Sequence, residues 1–300
     1  MTSHWTENDI PDQTGRVAIV TGANSGIGWD TARALAQKGA TVIMACRNLQ
    51  KANPAADQIK ALNPAGHVVV MLLDLADLDS VRAFTAAFRE SYDRLDMLIN
   101  NAGVMNTPYG KTAQGFEQQF GINHLGHFAL TGLLLDLLNS TPQARIVTVS
   151  SFGHRLGAIH FDDLNWERRY DAQRAYAQSK LANLLFTYEL QRRLTAAGQG
   201  TLAAAVHPGW TATNLQKHSR IYQLLNPIVG QSTAMGALPT LYAATAADIR
   251  GGDYAGPGGF LELHGNPKKV RSSARSHEEA LARRLWAISE ELTGIKYPLA

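Results

Sequence analysis

The sequence predicts an α/β protein built as a single domain on a doubly wound parallel sheet, with helices covering both faces. Short apolar, β-branched runs alternate with runs of helical periodicity along most of the 300 residues. The first of these units carries a glycine-rich turn between its strand and its helix. The sequence contains no repeat, low-complexity tract or linker that would divide the chain, so we expect one sheet to receive all the units.

The strands and helices follow one another along the chain. Strands are predicted at short β-branched runs, and helices where apolar residues recur at three- and four-residue spacing. The predicted strands are Arg16–Val20, Thr41–Ala45, Val68–Leu73, Met97–Ile99, Arg145–Ser150, Leu202–Val206 and Gly259–Leu263. The predicted helices follow the glycine turn and then cover Leu78–Tyr92, Phe116–Leu138, Ala172–Ala197, Thr233–Ala246 and Ser276–Thr293.

Composition places the chain among globular proteins and excludes several function classes. Apolar residues make up 45% of it, and a net charge of +3 gives no argument for a nucleic-acid partner. The single cysteine, Cys46, excludes a disulfide framework and fits a reducing compartment. No apolar run approaches the roughly 18 residues of a membrane span, and no signal peptide is recognisable. We expect a cytoplasmic protein with a loose tail at residues 1–14 and one domain at residues 15–300.

The glycine-rich turn Thr21–Gly28 lies between the first strand and the first helix. Glycines at positions 22, 26 and 28 let the backbone turn sharply, so that amide groups and a helix N-terminus face one point. This arrangement is typical of a site for the pyrophosphate of a dinucleotide. It is more informative than a glycine-rich turn alone, because a strand precedes it and a helix follows.

The residue after the second strand favours NADP(H) over NAD(H). Dinucleotide sites that select NAD place an acidic residue there for the ribose 2′-hydroxyl, whereas this chain has Arg47. A guanidinium at that position can pair with a 2′-phosphate. A solvated arginine at the end of a strand is the alternative. We interpret the neighbouring Cys46 as a packing residue.

Tyr176 and Lys180 lie one turn apart on the same face of a predicted helix. An ammonium beside a phenol favours the phenolate, which lets the tyrosine exchange a proton with a carbonyl or alcohol near neutral pH. Taken alone, such a pair is most often an ordinary helix surface. None of the ten histidines has the spacing of metal ligands, so we predict no metal site. We interpret His154 as a loop histidine, with a contact to substrate as the alternative.

Two segments near the C-terminal end are open to more than one interpretation. Residues 215–229 turn from polar to apolar and are compatible with a substrate lid near residues 209–232, or with an ordinary amphipathic surface helix. The lid's apolar candidates are Trp210, Tyr222, Leu224 and Leu225. A cluster of basic residues is most simply a solvated loop, with an anionic partner or membrane surface as the alternative. Its members are Lys268, Lys269, Arg271 and Arg275.

Seven motifs in order resemble the short-chain dehydrogenase/reductase family over about residues 14–265. They are Thr21–Gly28, Asp74, Asn100–Gly103, Asn123, Ser150–Ser151, the Tyr176/Lys180 pair and Pro208–Gly209. Residues 45–48, the long insertion after Ser151 and the string Tyr176–Asn183 are most similar to the retinol-dehydrogenase-like branch. The resemblance implies a Rossmann-type fold with about seven parallel strands. The family habit is a homodimer or homotetramer built on the long helices.

The resemblance also implies residue roles. Tyr176 is similar to the general acid/base, Lys180 to the residue that activates it and bonds the nicotinamide ribose, and Ser151, rather than Ser150, to the substrate-orienting hydroxyl. Asn123 resembles the asparagine that helps to hold a relay water. The implied coenzyme contacts are Gly22, Asn24, Ser25, Gly26, Ile27, Gly28, Arg47, Asn48, Asp74, Leu75, Asn101, Ala102, Gly103, Tyr176, Lys180, Pro208, Gly209, Thr211 and Thr213. One departure is Ser25, where NADP-preferring members often carry a second basic residue.

These roles imply an NADP(H)-dependent oxidoreductase that transfers a hydride between the nicotinamide and a fairly apolar carbonyl or alcohol. A serine hydroxyl and an acidic phenol converging on one oxygen suit that chemistry. A catalytically silent NADP(H)-binding sensor or scaffold is the alternative, although such a protein typically loses Tyr176 or Lys180. A peripheral membrane enzyme acting on lipid-like substrates is a third interpretation. Protochlorophyllide reduction ranks low, because the sequence offers no pocket cysteine.

Overall fold

A computed structural model describes residues 4–211 and 231–299. Within these ranges one sheet has the strand order β3-β2-β1-β4-β5-β6-β7-β8. Its strands are β1 Val17–Thr21, β2 Thr41–Cys46, β3 His67–Leu72, β4 Met97–Asn100, β5 Arg145–Val149, β6 Leu202–Val206, β7 Tyr254–Pro257 and β8 Pro267–Lys269. The helices are α1 Gly26–Gln37, α2 Leu49–Lys60, α3 Leu78–Ser91, α4 Gln118–Phe120, α5 Gly126–Ser140, α6 Ala172–Ala196, α7 Thr233–Thr245 and α8 Glu279–Thr293.

The strand order confirms the predicted single-domain, doubly wound fold. Strands β1 to β7 pair in parallel, and β1 pairs with both β2 and β4, so the direction of winding reverses between β1 and β4. Ligands of such sheets bind outside the carboxyl ends of the strands at this reversal. The topology therefore places a binding crevice where the glycine turn leaves β1.

Apolar side chains bury both faces of the sheet, as a parallel sheet requires. Successive residues of β1 point to opposite sides: Ile19 packs among α3, α5 and α6, whereas Ala18 and Val20 pack among α1, α2 and α7. The C-terminal helix completes the first layer, where the ring of Trp286 lies 5.2 Å from that of Phe128. In the described ranges we find no helix long and apolar enough to cross a bilayer.

Two expectations about the C-terminal strands are wrong. The last parallel strand is β7, and the predicted strand at residues 259–263 is a 3₁₀ turn, Phe260–Glu262. The amide of Gly259 donates to the carbonyl of His264, which closes this stretch as the loop of a hairpin rather than extending it. The returning strand is β8, which pairs antiparallel with β7. The sheet thus has an eighth strand beyond the seven that the family resemblance implied.

The N-terminal segment is not the loose tail that was expected, at least from residue 4 onward. Glu7 forms an ion pair with Arg33 of α1 at 2.6 Å, and the ring of Trp5 contacts that of Tyr242 edge-on. Ile10 is buried in the apolar layer around α1. The sequence gave no sign of these contacts, because the segment is mostly polar and only two apolar side chains, Trp5 and Ile10, pack against the domain.

The helices differ from expectation at two places. The sequence did not suggest α2, because Pro54 lies inside it and interrupts the expected pattern. The predicted helix at residues 116–138 instead begins at Gln118, passes through a π-helical turn, Gly121–Leu125, and ends at Ser140. Such turns widen the backbone and are frequent at functional sites.

Candidate active site

A cavity of about 890 Å³ opens at the carboxyl ends of the parallel strands, at the reversal of the sheet. It gathers most of the residues that the sequence singled out. The predicted residues that line it are Gly22, Asn24, Ser25, Gly26, Ile27, Gly28, Arg47, Asn48, Asp74, Leu75, Asn101, Ala102, Gly103, Ser151, Tyr176, Lys180, Pro208, Gly209 and Thr211. Thr213 and most of the candidate lid lie outside the described residues.

The glycine turn forms a bare backbone cradle at the floor of this cavity. Gly22 and Gly26 have φ of +67° and +59°, a backbone conformation that residues other than glycine rarely adopt. A Cβ on Gly28 would lie 2.6 Å from the carbonyl oxygen of Gly22. Nothing larger than glycine fits there, so a ligand can approach the amides at the start of α1. These residues fit a dinucleotide pyrophosphate.

A buried set of hydrogen bonds around Thr21 holds the cradle against the end of β4. The Thr21 hydroxyl accepts from the amides of Asn101 and Ala102, both at 2.9 Å, and the Asn101 carboxamide donates to the Thr21 carbonyl at 2.7 Å. The glycine turn and the segment Asn101–Gly103 are therefore fixed relative to each other. This bond network places both on one wall of the cavity.

Two cations line the cavity beyond the end of β2. One is Arg47, which the sequence identified, and the other is Lys51, which it did not. Asn48 is the N-cap of α2, and its side chain accepts from the Lys51 amide at 3.1 Å. Lys51 thus lies in the first turn of a helix that the sequence analysis missed, and recognising Asn48 as a cap would have revealed it. Asp74 also lines the cavity, and its carboxylate is held in place by accepting from the Ala76 amide at 2.9 Å.

Tyr176 and Lys180 share one face of α6, as predicted. The Lys180 ammonium lies 5.7 Å from the centroid of the Tyr176 ring and donates to the carbonyl of Val149, at the end of β5, at 3.1 Å. Lys180 is 3% exposed, and burial lowers the pKa of its ammonium to about 8. A lysine with that pKa changes charge closer to neutral pH than an exposed lysine does.

The two adjacent serines have different partners. The hydroxyl of Ser150 donates to the carbonyl of Lys180 at 2.7 Å, which ties β5 to α6. Ser151 begins a 3₁₀ turn, Phe152–Leu156, and its hydroxyl accepts from the Gly153 amide at 3.2 Å. An ideal Cβ on Gly153 would touch both the Tyr176 ring and the Ser151 hydroxyl. Ser151 and Tyr176 therefore lie on either side of Gly153, and both line the cavity, as does Ser150.

Asn123 lies behind the cavity wall in the π-helical turn, rather than on the cavity surface. Its carboxamide oxygen accepts from the Val104 amide at 2.8 Å, and its nitrogen donates to the Val104 carbonyl and the Ser179 hydroxyl. Its own carbonyl oxygen is 3.0 Å from Nδ1 of His127, whose Nε2 is 2.9 Å from the Thr21 hydroxyl. Burial lowers the pKa of His127 to about 4, so the ring is neutral. Sequence reasoning did not find His127.

The structure bears on the interpretations of His154 and of the basic cluster. His154 does not face substrate: it is 1% exposed, and its ring bonds the carbonyl of Ser151 and the amide of Ser273. The four residues of the basic cluster are exposed, as expected, and two of them also contact other parts of the chain. Arg275 donates to the carbonyl of Gly157 at 2.8 Å, and Lys269 pairs with Asp253 at 2.9 Å. Distance in the chain concealed these contacts.

Apolar side chains form much of the wall near Tyr176. Five of them are named here, and the sequence gave a local signal of a site only for Trp210. They are Met105, Ile122, Leu156, Trp210 and Leu263. Arg155 and Glu262 interrupt this surface, with a 3.7 Å separation between guanidinium and carboxylate. The wall beside the tyrosine is thus largely, though not wholly, apolar.

Comparisons with known proteins agree with this geometry. The sequence model of the short chain dehydrogenase family matches residues 16–223. Human retinol dehydrogenase 13 is 44% identical over 297 residues, covering 95% of this chain and 86% of that protein. Mouse retinol dehydrogenase 12 is 44% identical over 289 residues, covering 94% and 88%. A crystal structure of an uncharacterised protein from Mycobacterium paratuberculosis superposes with a TM-score of 0.84 at 47% identity, covering 99% of this chain and 100% of that one.

Proposed function

The chain belongs to the short chain dehydrogenase family, in its retinol-dehydrogenase-like branch, and on that premise we propose an NADP(H)-dependent reductase of fairly apolar aldehydes or ketones. The observation that supports this most is a single cavity shared by two sets of residues. Tyr176 and Ser151 line it beside β5, whereas Arg47 and Lys51 line it beyond β2. Three strand spacings, roughly 14 Å, separate these positions, and an extended dinucleotide can span them.

When bound, the nicotinamide supplies the hydride in reduction and accepts it in oxidation. The protein's own residues orient and protonate the oxygen that gains negative charge during reduction. The Ser151 hydroxyl orients that oxygen, and the Tyr176 hydroxyl donates a proton to it. Lys180 stabilises the tyrosinate that remains, because its ammonium lies beside the ring. In the reverse direction Tyr176 takes the proton from the alcohol.

The preference for NADPH rests on the two cations at the end of β2. Arg47 offers a planar fork of donors to a 2′-phosphate, and Lys51 adds a second positive charge from the first turn of α2. Lys51 of α2 thereby supplies the second positive charge that other NADP-preferring members carry at the position of Ser25. The apolar wall formed by Met105, Ile122 and Leu156 supports an apolar substrate.

The experiment is transfer of deuterium from C4-deuterated NADPH to a panel of retinoid, steroid, aromatic and aliphatic carbonyls. We expect deuterium in the alcohol product, NADPH as the better coenzyme, and loss of transfer in the Tyr176→Phe variant. Transfer from NADH in preference to NADPH would contradict the coenzyme assignment. Tight NADPH binding with no transfer to any carbonyl, and no effect of Tyr176→Phe, would favour a silent sensor instead.

A further inference from the structure

A buried histidine, His154, contacts the backbone of Ser151. The carbonyl oxygen of Ser151 is 2.7 Å from Nδ1 of His154, which lies on the same 3₁₀ turn. The His154 side chain is 1% exposed and is not among the residues that line the cavity. The imidazole therefore contacts the Ser151 backbone and not the space where substrate would bind.

The tautomer of His154 follows from its second contact. The backbone amide of Ser273 is 3.1 Å from Nε2 of the ring. Because a backbone N–H can only donate, Nε2 must carry the lone pair and Nδ1 the proton. The Nδ1–H group then donates to the Ser151 carbonyl, so that both contacts are satisfied by a neutral ring.

The surroundings of His154 keep this ring neutral. Burial lowers its pKa to about 4, and Arg155 and His207 act in the same direction. The Ser151 carbonyl and Glu262 act in the opposite direction and more weakly than burial. The ring of Tyr254 covers one side, edge-on at 5.7 Å. Protonation of Nε2 would also oppose the Ser273 amide, since two donors would then face each other.

The segment that contributes Ser273 is attached to the Ser151 loop at three points. Besides the bond to His154, the Arg155 guanidinium donates to the carbonyl of Arg271 at 3.0 Å, and Arg275 donates to the carbonyl of Gly157 at 2.8 Å. Ser272 is in turn held by the Tyr188 hydroxyl of α6 at 2.8 Å. The loop is thus fixed by a C-terminal segment that is distant in the chain.

We propose that His154 is a positioning residue for Ser151, which couples the placement of the Ser151 hydroxyl to the C-terminal segment Arg271–Arg275. The inference rests on the proposed function, in which that hydroxyl orients the reacting oxygen. Losing a whole donor of this kind costs on the order of 10²–10³ in rate. A displaced donor retains part of its effect, so releasing the imidazole is expected to lower kcat by roughly tenfold.

The most selective variant is Ser273→Pro, with Ser273→Ala as its control. Ser273 has φ of −65°, the value that proline requires, so the substitution keeps the local backbone angle. It replaces the N–H group that His154 accepts with the ring Cδ of proline, which displaces the imidazole because the Ser273 nitrogen lies only 3.1 Å from Nε2. Alanine removes only the hydroxyl and keeps the amide. We expect Ser273→Pro to lower kcat roughly tenfold with the Kd for NADPH unchanged, and Ser273→Ala to leave both unchanged.

The double variant separates positioning from general damage. If His154 acts through the Ser151 hydroxyl, Ser273→Pro lowers kcat no further in a Ser151→Ala background. An equal loss in both backgrounds would overturn the proposal, because a merely structural defect does not depend on Ser151. An unchanged kcat in Ser273→Pro with Ser151 present would overturn it as well.

A nitrogen NMR titration of the histidine rings tests the same contacts without turnover, with the His154→Gln spectrum assigning the signal. We expect His154 to show the Nδ1–H tautomer and to stay neutral down to about pH 5, consistent with its lowered pKa. In Ser273→Pro its pKa should rise. An Nε2–H tautomer in the unaltered protein would overturn the proposal. A protein that reduces no carbonyl would count against the proposed function, and this titration would still support or overturn the contacts of His154.

Discussion

The coenzyme side and the substrate side of the cavity are built by different means. On the coenzyme side, the ends of β1, β2 and β4 and a glycine turn present backbone groups, and sheet register together with the hydrogen bonds of Thr21 and Asn101 brings them together. On the substrate side, Ser151 sits on a loop whose position depends on side-chain bonds to Ser273 and Arg275. The difference teaches that the order of the strands positions the binding groups on the coenzyme side, whereas the position of Ser151 depends on side-chain contacts from a segment distant in sequence.

The largest expected effect is a loss of turnover without a loss of coenzyme binding, caused by a change on the substrate side. Tyr176→Phe removes the hydroxyl that exchanges the proton, and general acid/base catalysis contributes about 10²–10⁴ in rate. We expect kcat to fall on the order of 10³, with the Kd for NADPH within about twofold of the original, since the backbone cradle is untouched. Turnover and fluorescence titration measure the two quantities.

Tyr242→Phe is the matched control for that variant. It removes a hydroxyl on α7 that donates to Asp248 and does not line the cavity, so it should leave kcat unchanged. A Tyr176→Phe enzyme that loses coenzyme affinity as strongly as turnover would show that the two sides of the cavity are not separable.

Gly28→Ala is the corresponding change on the coenzyme side. Its Cβ would lie 2.6 Å from the carbonyl of Gly22, and backbone cannot move aside cheaply. Overpacking of this kind costs about 1–3 kcal/mol of folding stability and is relieved by displacing the turn. Because that displacement moves the amides that would contact the pyrophosphate, we expect the Kd for NADPH to rise about 10- to 100-fold. Gly200→Ala is the control, because nothing lies within 4 Å of a Cβ there. Equal Kd values for the two variants would show that the glycine turn does not contribute to NADPH binding.

Lys51→Met sharpens the comparison within the coenzyme side. A charged hydrogen bond contributes about 1.5–3 kcal/mol, less at an exposed site, so we expect NADPH affinity to fall roughly tenfold and NADH affinity to stay constant. Lys60→Met changes a lysine on the same helix that pairs with Asp57 and does not line the cavity. If both variants weaken NADPH binding alike, the effect is one of general charge and not of a 2′-phosphate contact.

The smallest expected effect concerns His127, which joins the two sides by contacting Thr21 and Asn123. Burial lowers its pKa from 6.5 to about 4 in the folded protein. Between those values the unfolded chain binds a proton that the folded chain does not, so the stability contributed by the neutral ring is present above pH 6.5 and is lost as the pH falls towards 4. His127→Gln should flatten the decline in the free energy of unfolding by up to about 1.4 kcal/mol per pH unit.

Urea titrations across that pH range measure this slope. His67→Gln, at an exposed position on β3, serves as the control and should keep the slope of the unaltered protein. An unchanged slope in His127→Gln would mean that this ring is not the buried, neutral link between the two sides.

The same division explains what the sequence could predict. The fold, the glycine turn, Arg47 and the Tyr176/Lys180 pair follow from periodicity and local motifs, and the cavity brings them together. The choice of Ser151 over Ser150 stays a prediction, because both serines line the cavity. These features need no knowledge of distant contacts, because the strand order places the motifs at one edge of the sheet.

What the sequence could not predict depends on tertiary contacts. The role of His154 needs Ser273, which lies more than 100 residues away along the chain. Lys51 was missed because Pro54 obscured α2, and His127 because a lone histidine on an apolar helix gives no sign of what its two nitrogens bond. The hairpin of β7 and β8 was missed, and one strand was predicted at its loop, because that loop carries apolar residues that resemble a strand.

One measurement tests most directly whether this protein is an NADPH-dependent reductase with coenzyme selection and proton transfer on separate sides of its cavity. It is the ratio of kcat/KM for NADPH to that for NADH, with one reducible carbonyl, in the unaltered enzyme and in Tyr176→Phe. We predict a ratio above about 10 that stays the same while both values fall on the order of 10³ in the variant. A ratio below one, or a variant as active as the parent, would contradict it.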